Sequence, residues 1–324
     1  MLEAIYILGN GKSFRSNAIE PIVNSDSEEL VIYAKVLNNK VGIKKHRNIG
    51  SEIRINGQTV SKVSELARLL PVHFIEPNSI AIVEGSPSER RKFIDFTMFH
   101  VEHSYLSVYR DYQNVLKQRN ALLKSYPLDL KQLDYWDNLF IQKAIRLNKL
   151  RKKIFSNIVL DGIQESFSYL ITDIDVSIDF VDGCRNADTE DTFTEALRHS
   201  RTQDLKYKSS QVGPHRADIL LRNKGKLAKD YLSRGQKKLV TYGVRLAPAL
   251  MLAKKNQGAG IVLIDDMPSE LDIHSVRKVC NLLKAIGSQT VLTSVDKNNE
   301  QTQSIIQSLE PAMFHVEHGT VQAV

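Results

Sequence analysis

Apolar and polar positions change rhythm several times along the chain, and each rhythm predicts an element type. Between residues 30 and 60, "LVIYAKVL" and "SEIRINGQTV" alternate with period two, the mark of half-buried strands. Asn38-Asn39 and Asn56-Gly57 are turn signals between them. Residues 61–70 read as a helix stopped by Pro71, and "VHFIEPNSIAIVEG" as strand, turn, strand. From Ser88 to about Lys153 the period becomes helical. Leu106, Tyr109, Tyr112, Leu116 and Leu123 recur at helical steps, as do Trp136, Phe140, Leu147, Leu150 and Ile154 after Pro127. Two or three long helices are expected, forming an antiparallel arm that runs on into "IFSNIVLDGIQESFSYL". "DIDVSIDFV" and "ADILLRN" are strand candidates, separated by a polar stretch with one helix around "TFTEALRHS".

The last third carries the densest chemistry. Ser233 is well placed as the N-cap of a helix reaching Lys255. "AGIVLIDD" reads as a buried strand whose apolar run ends in two acids, Asp265 and Asp266. Ser269 to Ile286 reads as a helix with Val276, Val279, Leu283 and Ile286 on one face and Gly287 as its stop, and "QTVLTS" as the next strand. A serine and a glycine at a helix N-terminus offer a hydroxyl, free N–H groups and the positive dipole end to an anion such as a terminal phosphate. An acid held at the end of a buried strand can bind Mg²⁺, and an acid beside it can orient an attacking water. Each feature alone has a bland reading as a cap or loop start. Their order is what makes chance a poor explanation.

Composition narrows the field. The 324 residues suffice for one large domain or two, and 42% hydrophobic with 25% charged residues is ordinary globular usage. No apolar run reaches the roughly twenty residues of a membrane span, and the first residues lack the pattern of a secretory signal. Two distant cysteines, Cys184 and Cys280, suit a reducing compartment and give no metal-ligand spacing. A net charge of +7 is permissive for nucleic acid without requiring it.

The run Leu232-Ser233-Arg234-Gly235-Gln236, then Asp265-Asp266, then Ser269 to Asp272, resembles the ABC-type ATPases, whose signature is Leu-Ser-Gly-Gly-Gln. More narrowly the chain resembles the RecF family, in the SMC/Rad50-like branch. That likeness rests on "LEAIYILGNGKSFR", "EGSPSERRKFID", "KQRNALLK", "GPHRADILL", "LSRGQKKL" and "LIDDMPSELD". It implies an α/β ABC-ATPase head with an antiparallel β lobe and an inserted helical arm: residues 1–95 and 206–324 for the head, 96–205 for the arm. It also implies ATP and Mg²⁺ as cofactors. Asp265 would hold the metal and Asp266 would polarise water. Ser233, Arg234, Gly235 and Gln236 would meet a nucleotide held by a second subunit, with Ser269 and Asp272 in the D-loop. Implied partners are DNA (duplex and single-strand/duplex junctions), RecR- and RecO-like proteins that help load the strand-exchange protein, and an ATP-dependent second copy. The implied location is the bacterial cytoplasm.

Gly11-Lys12-Ser13 looks like the tail of a P-loop, G-x-x-x-x-G-K-[ST], but the first glycine would fall at Tyr6 and Pro21 follows soon after. The resemblance instead matches it to a downstream G-x-G-x-x-F-R turn and places the P-loop upstream of "LEAIY". On that expectation the chain has signature and Walker B elements without Walker A, is N-terminally truncated, and binds ATP negligibly. The Ile261–Ile264 strand would then lose its flanking strands and expose apolar surface. The family activity is a weak, DNA-stimulated ATPase. The alternatives are a non-catalytic fragment and, more distantly, a transporter ATPase, which the soluble arm and Ser294 in place of a switch histidine disfavour.

Secondary candidates are basic. Lys44-Lys45-His46-Arg47, with Lys12 and Arg15, would contact DNA phosphates, or would be a solvated turn. Arg90-Arg91-Lys92 serves the nucleotide side or packs on acids. His100 and His103 have chelating spacing without a third ligand. "MFHVEH" occurs twice, at 98–103 and 313–318, the first copy in a helical context and the second in a strand context. A shared coding string around the palindrome CACGTG, selected at the DNA level, is one expectation for the repeat; chance is the other.

Overall fold

The computed structural model describes all residues except 17, 49, 186, 256–259, 318–319 and 324. Ala259 of "AGIVLIDD", and His318 and Gly319 at the second "MFHVEH", therefore lie outside the described residues. The chain divides into two compact units, one of Met1–Ser79, Ser166–Leu170 and Lys238–Val324, the other of Ile80–Glu165 and Ile171–Lys237.

The first unit holds two sheets. Strands Glu29–Val36, Asn39–His46, Gly50–Ile55 and Gln58–Val60 form an antiparallel meander in chain order. Its register sets Ile32 opposite Ile43 and Ile43 opposite Ile53. That face closes over Ile7 and Leu8 of the helix Leu2–Asn10 and Leu66 of the helix Val63–Leu69. The second sheet is parallel, with Ile261–Ile264 between Gln289–Leu292 and Val72–Ile75. Its central strand is 0–7% exposed. This corrects the expectation that the strand would lie bare: segments from both sides in sequence pair with it, and its four apolar side chains are covered.

The second unit carries the arm. Helices Tyr105–Leu122 and Leu130–Ile154 are antiparallel: Asp111 pairs with Lys143, Tyr112 packs on Phe140, and Arg119 pairs with Asp137. A π-helical turn, Phe155–Val159, links the second helix to Leu160–Leu170, whose last five residues belong to the first unit. An antiparallel sheet of Val176–Val181, Asp218–Asn223 and Lys226–Leu227 completes it, with the helix Glu190–Tyr207 between its first two strands in sequence. Two arginines are buried among these elements. Arg119 donates to Asp137 (2.7 Å), Asp204 (2.7 Å) and Ser210 (2.6 Å). Arg151 donates to Asp95 (2.5 Å), Tyr105 (3.0 Å) and the Pro214 carbonyl (2.7 Å). A guanidinium with five donors can be buried only where acceptors meet it from several elements.

Two boundaries differ from the pattern. Residues after Glu76 were expected to return as a strand, but Pro77–Ile80 is a 3-10 turn and Ala81–Glu84 a helical one. Pro77 has no N–H for a ladder, and the Ser79 hydroxyl accepts from the Glu76 N–H at 3.0 Å, folding the chain locally. The helix expected from Ser269 is broken: Met267–Glu270 is one turn, Leu271 is extended, and the long helix is Ile273–Ile286. Asp272 restarts it, accepting from the His274 and Ser275 N–H groups at 3.0 Å, a stronger cap than any upstream residue supplies.

Candidate functional site

The three parallel strands end side by side, and their first residues beyond the sheet are Glu76, Asp265 and Thr293. The register is held by Asp265 N–H to the Ile75 carbonyl (2.9 Å) and Thr293 N–H to the Ile264 carbonyl (3.1 Å). This carboxyl edge is where open α/β sheets place ligands. The Thr293 hydroxyl donates to Oδ1 of Asp265 at 2.7 Å and accepts from the Asp266 N–H at 2.9 Å. Asp265 is thereby fixed in rotation, leaving Oδ2 as the oxygen that would meet a cation. Asp266 sits in the left-handed region, φ 50° and ψ 46°, a conformation short polar residues tolerate at some strain. The Ser269 hydroxyl donates to its Oδ2 at 2.5 Å and braces it. Asp272 faces its own helix, taking a third bond from the Ser275 hydroxyl at 2.6 Å. That bond and the capping N–H groups lower its carboxyl pKa.

Mg²⁺ is commonly held by one or two carboxylates with phosphate oxygens and waters completing the shell. An oriented Asp265 with a braced Asp266 beside it fits that donor set. Among the described residues, no group of three or more His, Cys, Asp or Glu is arranged to hold a metal by itself. His100 packs on Phe96 and Phe99. Thr293 and Glu76 are the members of this edge that sequence reasoning missed. Their signal was available: each directly follows an apolar strand, as the aspartates do. Glu76 lies within electrostatic reach of Tyr6, whose hydroxyl pKa is raised by burial first and by Glu76 second.

The signature segment, at the end of the second unit's stretch of chain, opens the helix Arg234–Lys254, which from Lys238 belongs to the first unit. The Gln236 N–H donates to Ser233 Oγ at 3.3 Å, while the Ser233 N–H donates to Gln236 Oε1 at 2.9 Å. This is a reciprocal capping box. Ser233, Arg234 and Gly235 are exposed, and a side chain added at Gly235 would meet nothing. Leu232 is buried and anchors the segment. Gly235 therefore leaves the helix end open, as close approach of a phosphate requires.

Gly11-Lys12-Ser13 is a turn. Gly11 ends the helix Leu2–Asn10 at φ 68°. Ser13 is buried, donating to Glu3 at 2.5 Å and accepting from the N–H groups of Arg15 and Ser16. Lys12 and Arg15 project outward, Arg15 over the Phe14 ring. The basic run at 44–47 does not form one patch. Strand alternation sends Lys44 to the outer face, where it pairs with Glu29 at 2.5 Å. Lys45 points to the other face, and its pKa is lowered by burial. Arg47 donates to the carbonyls of Val23, Asn24 and Ser27. Arg90 pairs with Asp218 and Arg91 bonds the Ala217 carbonyl, so these two arginines hold the second unit together.

The RecF/RecN/SMC N terminal domain family matches residues 1–322. A DNA replication and repair protein RecF from Pseudoalteromonas translucida is 34% identical over 328 residues, covering 99% of this chain and 89% of the relative. One from Shewanella frigidimarina is 34% identical over 333 residues, covering 100% and 89%. Among solved structures, a recombination mediator protein RecF bound to ATP, from the RecFOR pathway, superposes with TM-score 0.82 at 24% identity, covering 100% of this chain and 87% of that one. An Smc head bound to the C-terminal winged-helix domain of ScpA gives 0.51 at 15%, covering 100% and 84%. The fold is thus that of the RecF and Smc heads, and by sequence the chain belongs to the RecF proteins of the RecF/RecN/SMC family, whose named role is DNA replication and repair.

Proposed function

We propose that this chain is an ATP-dependent DNA-binding protein of recombinational repair and replication-gap maintenance, acting with RecR- and RecO-like partners to load a strand-exchange protein. The observation that carries the nucleotide part is the carboxyl edge of the parallel sheet, where Thr293 clamps Asp265 and Ser269 braces Asp266. Bound MgATP would supply the phosphoryl group and the charge that draws two subunits together. Asp265 would hold the cation through Oδ2 and Asp266 would orient a water. Ser233 Oγ accepts from the Gln236 N–H and keeps its hydroxyl proton to donate to a phosphate oxygen of the partner's nucleotide.

A second reading, a chain that does not respond to nucleotide, is favoured by one observation: the 324 residues contain no G-x-x-x-x-G-K-[ST]. Analytical ultracentrifugation with and without MgATP separates the two, run on protein isolated from its source cells with its intact mass recorded. The first reading expects a monomer that dimerises with MgATP, and a Ser233→Arg variant that stays monomeric while its melting temperature falls by only the few degrees that a lost N-cap costs. A wild-type protein indifferent to MgATP would sink the first reading and leave the second.

A further inference from the structure

The outer face of the antiparallel meander carries a feature that the basic run in the sequence does not describe. Tyr33 stands 65% exposed and Val31 61% exposed, on a strand whose other face is core. Tyr33 is opposite Gly42, and Gly42 is opposite Arg54. The position directly across from the ring therefore carries no side chain. Val31 is opposite Lys44, and Lys44 is opposite Glu52, while Lys35 is opposite Lys40. Val31, Tyr33, Lys40, Lys44, Glu52 and Arg54 border a shallow groove of about 410 Å³. On this face Lys35, Lys40, Lys44 and Arg54 stand against Glu29 and Glu52, four positive charges less two negative, a net of two positive. The two carboxylates are each paired, Glu29 with Lys44 and Glu52 with Arg54.

We propose that this face is a platform for single-stranded nucleic acid, with a base stacked on Tyr33 and the flanking phosphates on Lys35 and Lys40, whose charges Glu29 and Glu52 do not offset. An open aromatic ring among cations is the combination that binds single strands: the ring takes any base face and the cations follow the backbone. A duplex keeps its bases stacked on one another and offers the ring nothing, so the platform discriminates the single-stranded side of a junction. The proposal rests on the DNA-binding reading above and adds to it the face and the residue that would meet the single strand.

The full chain and its variants Tyr33→Leu and Tyr33→Phe are titrated against dye-labelled oligothymidylate and, separately, a blunt duplex, by fluorescence anisotropy, with a thermal melt of each. Leucine keeps an apolar side chain on the strand but has no π-face. The expected result is single-strand affinity lowered roughly 5- to 100-fold in Tyr33→Leu, within about twofold of wild type in Tyr33→Phe, and duplex affinity unchanged in both. Equal single-strand affinity for wild type and Tyr33→Leu, in a protein that still binds duplex, overturns the platform and leaves the DNA-binding reading standing. A protein that binds neither DNA overturns both. A Tyr33→Leu variant that keeps the oligonucleotide but loses a protein partner also overturns the platform, and assigns the face to that partner.

Discussion

His215, in the segment "GPHRADILL", is held in one tautomer by its neighbours. Its Nε2 lies 2.8 Å from the Ser210 carbonyl, which can only accept, so Nε2 carries the proton. Its Nδ1 then accepts from the Tyr112 hydroxyl at 2.6 Å. A second proton would have to displace that bond in a buried place. Burial accordingly lowers the imidazole pKa from 6.5 to about 4. The unfolded chain takes up a proton as pH falls through about 6.5 while the folded chain does so only near 4. Stability is therefore full above pH 6.5 and declines between there and about 4, by about 3 kcal/mol at most. Urea midpoints measured across that window should fall for the wild type and fall less steeply for His215→Gln, which keeps a donor and an acceptor. Parallel slopes would remove His215 as the cause.

The central strand Ile261–Ile264 depends on how it is entered. Gly260 has φ 76°, and a Cβ there would stand 2.1 Å from the Pro71 carbonyl oxygen. That carbonyl is the one that receives the Ile261 N–H at 2.9 Å and starts the register with Val72–Ile75. Gly260→Ala meets backbone rather than a movable side chain, in a conformation alanine resists. We expect it to lower unfolding free energy by roughly 2 kcal/mol or more, measured by chemical denaturation. A loss below about 0.5 kcal/mol would mean the entry relaxes freely. The same register aligns Glu76, Asp265 and Thr293, so nucleotide affinity, where present, should fall with it. The element scale also explains the basic run at 44–47: a strand turns adjacent side chains to opposite faces, so neighbours in sequence cannot share one patch.

At the scale of the whole chain, a net charge of +7 and a pI near 9.2 set an electrostatic attraction for any DNA, screened by salt. Each lysine or arginine that contacts a duplex phosphate adds about 0.9 to the slope of log affinity against log salt. Lys12 projects outward, whereas Arg47 is tied to three backbone carbonyls. Duplex binding measured across a salt series should lose about one unit of slope in Lys12→Gln and none in Arg47→Gln. A reduced slope in Arg47→Gln, with its melting temperature intact, would return that residue to the DNA surface. No helix among the described residues is long and apolar enough to cross a membrane.

The linear pattern sufficed for features whose cause is local. Period-two alternation located the meander and helical periodicity located the arm. Ser233 was legible as a cap because capping is decided within four residues, and Asp265-Asp266 were legible because an apolar run stops at them. The family likeness was legible for the same reason, since its motifs are short and ordered. Tertiary structure decided whatever depends on which segments meet. It covered Ile261–Ile264 on both sides with strands about 190 positions before and 30 after it in sequence. It put Thr293 on Asp265. It also gathered Tyr33, Gly42 and Arg54 into one row. Those facts depend on pairing register, and register is set by burial across strands rather than by any residue's neighbours in sequence.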